Sequence, residues 1–322
     1  MITNALKRCK KETDMLFNKE NNGAEEIRSL TSNYYRNNDF EKITGEIETA
    51  EEELATLVGN EVFLKAQTAY KADNADATDK QLIRKLQRPA ALLATLNLYR
   101  KNDLSHEDDG RKFKIDSENE KLPWQWQLDR DDEIHLEEYY KAVDALIRFL
   151  NESDIQQWKD TNTYRELQTL LIRSGSEFDT YFPINKSERT FLLLVPFIRE
   201  VQMLYIKRSY GTGWDELLTF SEGVSSDARF AACKATCLFA MSLALERLQL
   251  SIIPGGVIRR YLGENGAAKS SPARLNDIRQ VVTWMSEDAK TWLNEMKQAK
   301  NGGEIEYNLI PHNCKENKFF RV

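Results

Sequence analysis

Residues 161–206 read TNTYRELQTLLIRSGSEFDTYFPINKSERTFLLLVPFIREVQMLYI, and the second half of this stretch is the most apolar run in the chain. It strings together Phe191, Leu192, Leu193, Leu194, Val195, Phe197 and Ile198, then Val201, Met203, Leu204, Tyr205 and Ile206. A helix that is apolar on nearly every side belongs inside a protein rather than on it. Ser187 suits the N-cap of such a helix. Pro196 lacks a backbone donor and is expected to kink the helix or to mark its true first turn. A membrane span is the rival reading, and it fails. Arg189, Arg199 and Glu200 leave far fewer than the roughly 20 apolar residues a span requires. The stretch is therefore read as a central buried helix over residues 190–206, joining two halves of similar build.

Working outward, the 322 residues suffice for one large or two ordinary domains, and 41% hydrophobic with 30% charged residues can bury a core. Gly (14) and Pro (7) are scarce while Leu, Ala, Glu and Lys abound, which favours helices over a sandwich or barrel. The fold class expected is mainly α: two pseudo-repeated helical bundles, a small β-hairpin and an extended C-terminal tail. A net charge of −6 argues against a sequence-specific reader of duplex DNA, which needs a basic face. The four cysteines are Cys9, Cys233, Cys237 and Cys314; Cys233 and Cys237 lie four apart in an apolar helical pattern and read as buried free thiols. The N-terminal MITNALKRCKKETD lacks the apolar core of a signal peptide, so a reducing, cytoplasm-like compartment is expected.

Residues 1–38 are polar and irregular and read as an arm or a short helix pair. Residues 39–160 read as a first helical unit. Ile43, Ile47, Ala50, Leu54, Leu57 and Val58 set one helical face up to Gly59, and a short helix follows through Val62, Phe63 and Ala66. KADNADATD is expected to be a loop, and a helix is expected over 88–104 with Pro89 in its first turn. Phe113 and Ile115, then Trp124, Trp126 and Leu128, alternate about a polar turn and predict the β-hairpin. A helix from Asp131 to Asn151 has an acidic first turn, which the helix dipole favours.

Residues 161–300 read as a second unit on the same plan. GTGWDELL answers GNEVFL. Arg229-Phe230-Ala231-Ala232 answers Arg88-Pro89-Ala90-Ala91, and Leu293-Asn294-Glu295 answers Leu150-Asn151-Glu152. These words recur in order at nearly constant displacement, the pattern of an internal duplication. A final helix is expected from Leu275 to Met296. Residues 301–322 read as an extended tail. The apolar Ile305, Tyr307, Leu309, Ile310, Phe319, Phe320 and Val322 suit docking, either on its own body or on a neighbouring subunit as an added strand.

Few constellations carry chemistry. GENGAAKSS, residues 263–271, has the wrong spacing for a phosphate loop and follows a helical pattern rather than a strand, so a flexible loop is expected. His106-Glu107-Asp108-Asp109 and His312-x-Cys314 offer metal-binding atoms but lack partners at ligand spacing. With only His106, His135 and His312, and no Gly-x-Ser-x-Gly elbow, a nucleophilic triad has little support. Runs such as Glu51-Glu52-Glu53 read as solvated helix faces. Trp124, Trp126, Tyr139 and Tyr140 cluster where the hairpin meets the next helix and read as core packing, with an interface as the alternative. Arg259-Arg260 forms a basic tip at the position equivalent to Arg111-Lys112, and two such tips suit an acidic protein neighbour or simply solubility.

The order DFEKITGEIETAEEELATLVGNEVF, QRPAALLATLNLY, GRKFKIDSENEKLPWQWQ and YKAVDALIRFLNE, continued by residues 161–206 and the closing ENKFF, resembles an uncharacterised family of Bacteroidetes genomes and their phages. The resemblance covers residues 39–322. The helical unit in each half also resembles, more distantly, the head–tail connector (adaptor) proteins of tailed phages. That second resemblance implies a structural virion component. It would assemble in the bacterial cytoplasm as a homo-oligomeric ring that meets portal and tail or neck proteins, with no membrane and no sequence-specific nucleic acid as partner. The contacts expected are Arg111, Lys112, Arg259, Arg260 and the tail with Phe319 and Phe320; no catalytic, cofactor or metal residue is expected. A helical scaffold or regulatory protein with no virion role is the first alternative, and an enzyme with an unrecognised site the second.

Overall fold

A computed structural model describes residues 15–32, 39–72, 74–107, 110–112, 124–248, 258–262, 268–272 and 275–301 of the chain. The fold is mainly α. The chain divides into two compact units, residues 1–165 with 187–189, and residues 166–186 with 190–322.

The first unit holds α1 (Gly23–Thr31), α2 (Phe40–Val58), α3 (Asn60–Lys71), α4 (Ala77–Asn102), α5 (Gln125–Glu152) and α6 (Gln156–Lys159), and it ends within α7 (Asn162–Gln168). The stripe Ile43, Ile47, Ala50, Leu54 and Val58 is fully buried, as its helical spacing requires. It packs against α4, whose Ala90, Ala91 and Ala94 keep that helix slim enough to lie against both α2 and α5. Helix α4 starts well before the expected Arg88. Asp76 caps it, its carboxylate accepting from the Asp79 backbone N–H at 2.6 Å. Pro89 therefore lies buried inside the helix and not in its first turn; tertiary packing of the surrounding apolar face outweighs the one lost hydrogen bond.

The N-terminal stretch is not a free arm where it is described. Met15, Leu16 and Phe17 are buried. The Leu16 N–H donates to Glu51 Oε1 at 2.8 Å, and Gln87 Nε2 donates to the Leu16 carbonyl at 2.6 Å, so this irregular segment has its backbone groups satisfied in the core. Residues 187–189 also belong to this unit: the Ser187 hydroxyl donates to Asp144 Oδ1 at 3.1 Å and the Arg189 N–H donates to the same oxygen at 2.8 Å.

The β structure of the first unit is an antiparallel ladder of β1 (Ser105–Glu107) and β2 (Gly110–Lys112), in the register Ser105↔Lys112, His106↔Arg111 and Glu107↔Gly110. The hairpin expected between Phe113–Ile115 and Trp124–Leu128 is corrected on its second arm, which is helix. The Trp124 carbonyl accepts from the Gln127 N–H at 2.8 Å, and the Gln127 side chain accepts from the Trp124 N–H at 2.9 Å. Three alternating apolar residues are too few to outweigh a well-closed first turn. Helix α5 thus begins before Asp131, and its first turn holds no acid.

The second unit holds α8 (Gly175–Tyr181), α9 (Glu188–Val201, from Thr190 onward), a π-helical turn (Gln202–Ile206), α10 (Lys207–Tyr210), α11 (Trp214–Thr219), α12 (Ser226–Arg247) and α13 (Leu275–Lys300). The expectation of a central buried helix over residues 190–206 is corrected, since one face of it is exposed. Phe191, Leu194, Val195, Ile198 and Val201 enter the core of the second unit. Leu192, Leu193 and Phe197 are half-buried, and Pro196 and Met203 to Tyr205 are exposed. Pro196 stands inside the helix. The widened turn follows it, where buried Gln202 accepts from the Leu171 N–H and donates to the Thr169 carbonyl, both at 2.9 Å.

Helix α12 is, among the described residues, the one helix long and apolar enough to cross a membrane by length and composition. Two-thirds of that window is buried (67%), with Ala228, Ala231, Ala232, Cys233, Ala235 and Cys237 inward, as in a core helix packed along α13. Between α12 and α13 lies a second ladder, β3 (Ile258–Leu262) with β4 (Ala268–Pro272), antiparallel from Ile258↔Pro272 to Leu262↔Ala268. Residues 268–271 are thus strand and not the flexible loop expected, while 263–267 lie outside the described residues.

The two units share one order: a long helix, a positive-φ glycine, a short helix, a long helix, a two-stranded ladder and a long helix. The glycines are Gly59 (φ 93°) before α3 and Gly213 (φ 86°) before α11. The Arg88 and Arg229 words do not occupy equivalent places, since Arg88 lies mid-helix in α4 and Arg229 in the first turn of α12.

Candidate functional site

In the first unit α4 and α5 pack side by side, and a cleft of ≈ 440 Å³ opens along their outer seam. Helical spacing builds its α4 wall. Leu82, Ile83 and Leu86 turn to the core, so Gln81, Arg84, Lys85 and Arg88 share the opposite face. The α5 wall carries Glu138 and Lys141 above a floor of Ala142 and Ala145. Lys141 pairs with Glu137 at 2.9 Å, whereas Arg84, Lys85 and Arg88 have no ion-pair partner among the described residues. Like charges four apart on a helix repel each other by a few tenths of a kcal/mol. Arg84, Lys85 and Arg88 thus set three cations on one wall of the cleft, with Glu138 and Lys141 on the other.

The second unit has an aromatic pocket of ≈ 410 Å³ bounded by Tyr181, Phe220, Val224, Arg229 and Phe230. The Arg229 guanidinium lies 3.3 Å from the Phe220 ring centroid, and that of Arg173 lies 5.8 Å from it. Phe220 holds φ 55°, a left-handed conformation costly for a bulky side chain, and its N–H donates to the Leu217 carbonyl at 3.3 Å to end α11. Beneath the pocket, Cys233 and Cys237 are buried free thiols. Burial pushes the Cys233 thiol up to about 12, and that of Cys237 well above its usual value, so neither supplies a thiolate nucleophile.

The residues singled out from the sequence are distributed differently. Arg111 and Lys112 lie on β2, the second strand of its ladder, whereas Arg259 and Arg260 lie on β3, the first strand of the other. They are strand residues at non-equivalent places, which corrects the reading of two matching loop tips. Phe319, Phe320, His312, Cys314 and the whole tail from 302 lie outside the described residues. His106 and Glu107 lie on β1; Asp108 and Asp109 are outside the described residues. Among the described residues no group of three His, Cys, Asp or Glu side chains could hold a metal ion.

Two further expectations are corrected. Glu51 is not on a solvated face. It is 5% exposed, and burial lifts its carboxyl to about 7 against the lowering effect of the Leu16 N–H. Trp124 and Trp126 are 73% and 60% exposed, not core. The cation row itself was readable as K-x-x-x-R-K-x-x-R from Lys80 to Arg88. With a helix start at Arg88, where Pro89 suits a first turn, these four residues share no helical face; with α4 running from Ala77 they do.

The chain matches a family of unknown function, DUF6712, over residues 44–168 and 219–319. It belongs to that family. The first DUF6712 segment takes in α2 to α5 with their ladder, and the second takes in α12, its ladder and α13. Most of the 161–206 stretch falls in the gap between the two segments, so the DUF6712 signature lies in the helix–ladder–helix parts. Neither a curated protein nor a solved structure matches the chain.

Proposed function

We propose that this DUF6712 protein is a structural subunit of a phage virion, a head–tail connector (adaptor) component that assembles as a homo-oligomeric ring between portal and tail or neck proteins. The observation that supports this reading best is the repeated helix–ladder–helix order, with a pair of adjacent basic residues in each ladder, Arg111-Lys112 and Arg259-Arg260. Short ladders between long helices offer strand edges to neighbours while the helices hold the core. A ring forms when a head-to-tail contact between identical copies closes on itself. The resemblance to a phage-borne family and to connector proteins supports the virion setting. On this reading the chain acts by contact and not by catalysis.

Immunogold labelling of purified particles carrying this protein tests the reading. Label confined to the neck between capsid and tail is the expected result. Antigen found only in the cell lysate and absent from particles would leave the protein as a cellular scaffold or regulator instead.

A further inference from the structure

The lining of the cleft between α4 and α5, cationic on one wall over an alanine floor, is matched in chemistry by the first turns of α5. Trp124 and Trp126 are 73% and 60% exposed, and Ile134 is 48% exposed. Between them lie the exposed carboxylates Asp129, Asp131 and Glu133. Asp129 and Glu133 stand one helical turn apart, a rise of about 6 Å, which equals the rise from Arg84 to Arg88. The apolar floor of Ala142 and Ala145 suits an apolar side chain inserted between the two charged rows.

We infer that the α4–α5 cleft of one copy receives the acidic, aromatic first turns of α5, residues 124–134, from a second copy of this chain. A copy cannot fill its own cleft this way, because residues 124–134 continue without a break into the helix that carries Glu138, Lys141, Ala142 and Ala145. Donor and acceptor are different surfaces of one molecule, so the contact is head-to-tail and propagates to a third copy. A nucleic-acid backbone suits the cleft less well: Glu138 stands on its α5 wall, and the chain carries a net charge of −6. A protein segment bearing both carboxylates and apolar groups meets the whole lining. The inference rests on the homo-oligomeric reading above and names the contact that builds the oligomer.

Sedimentation velocity of the full-length protein tests it. Wild type should sediment as an oligomer that weakens as salt is raised. Two charge-reversed forms, Arg84→Glu/Arg88→Glu and Asp129→Lys/Glu133→Lys, should each remain folded by circular dichroism and sediment as monomers. Mixed in equal amounts they should assemble again, because each form's cleft then matches the other's α5. Oligomers of wild-type mass from either form alone would overturn the cleft contact while leaving the assembly reading intact. A wild type that is monomeric at every concentration would overturn both. Binding of a duplex DNA fragment by wild type and not by Arg84→Glu/Arg88→Glu would make the cleft a nucleic-acid site and overturn the inference.

Discussion

Glu51 carries the strongest electrostatic tension among the carboxylates of the first unit. Its carboxyl is lifted from 4.5 to about 7, chiefly by burial, while the Leu16 N–H opposes the lift. A raised folded value means the native state holds the proton more tightly than the unfolded chain. That stabilisation is full below about pH 4.5 and is lost as pH rises through about 7. Glu51→Gln keeps an oxygen for the Leu16 N–H and removes the ionisation. Its advantage over wild type in urea melts should therefore grow between about pH 5 and pH 8, to about 3 kcal/mol at most; parallel profiles would contradict the assignment. From sequence Glu51 was indistinguishable from Glu52 and Glu53. Only the register of α2, in which residue 51 adjoins the Ile47–Leu54 stripe, turns it inward. The same register logic separates two residues of α9. Val201 is fully buried and Leu193 half-buried, so Val201→Asp should lower thermal stability far more than Leu193→Asp, by several kcal/mol against about one. Equal melting temperatures would show that α9 does not bury the face described.

Among the helices and their joints, glycine gives predictions of opposite sign. Gly59 ends α2 and opens α3 at φ 93°, and a Cβ there would meet Thr161 Cγ2 at 2.9 Å. Gly59→Ala should destabilise the protein by about 1–2 kcal/mol through backbone strain and this close approach. Gly45 lies inside α2 with nothing within 4 Å of an added Cβ, so Gly45→Ala should stabilise by about 0.5–1 kcal/mol. Chemical denaturation of both variants checks the pair, and a shift of the same sign in each would contradict it. The existence of the long helices was legible because their apolar periods run for several turns. Their ends were less so. Pro89 suggested a helix start although α4 runs through it, and the alternation Trp124, Trp126, Leu128 suggested a strand although a closed first turn makes it helix. The second ladder escaped notice because Ile258–Leu262 and Ala268–Pro272 carry no strict alternation; their pairing is defined by the backbone register.

For the whole chain, the mainly α character was legible from composition and helical spacing, and DUF6712 membership covers residues 44–168 and 219–319. The α4–α5 cleft was not, because its walls come from residues 81–88 and 138–145, and no local pattern announces that two such segments will lie side by side. The proposed assembly draws on Arg84, Lys85 and Arg88, which have no ion-pair partner among the described residues, and on the exposed Trp124 and Trp126. The account therefore stands or falls on assembly. Multi-angle light scattering of the purified full-length chain measures that directly. The account predicts one closed species at an integral multiple of 37.3 kDa whose mass stays constant over a wide concentration range at low salt. A mass of 37.3 kDa at every concentration would contradict it.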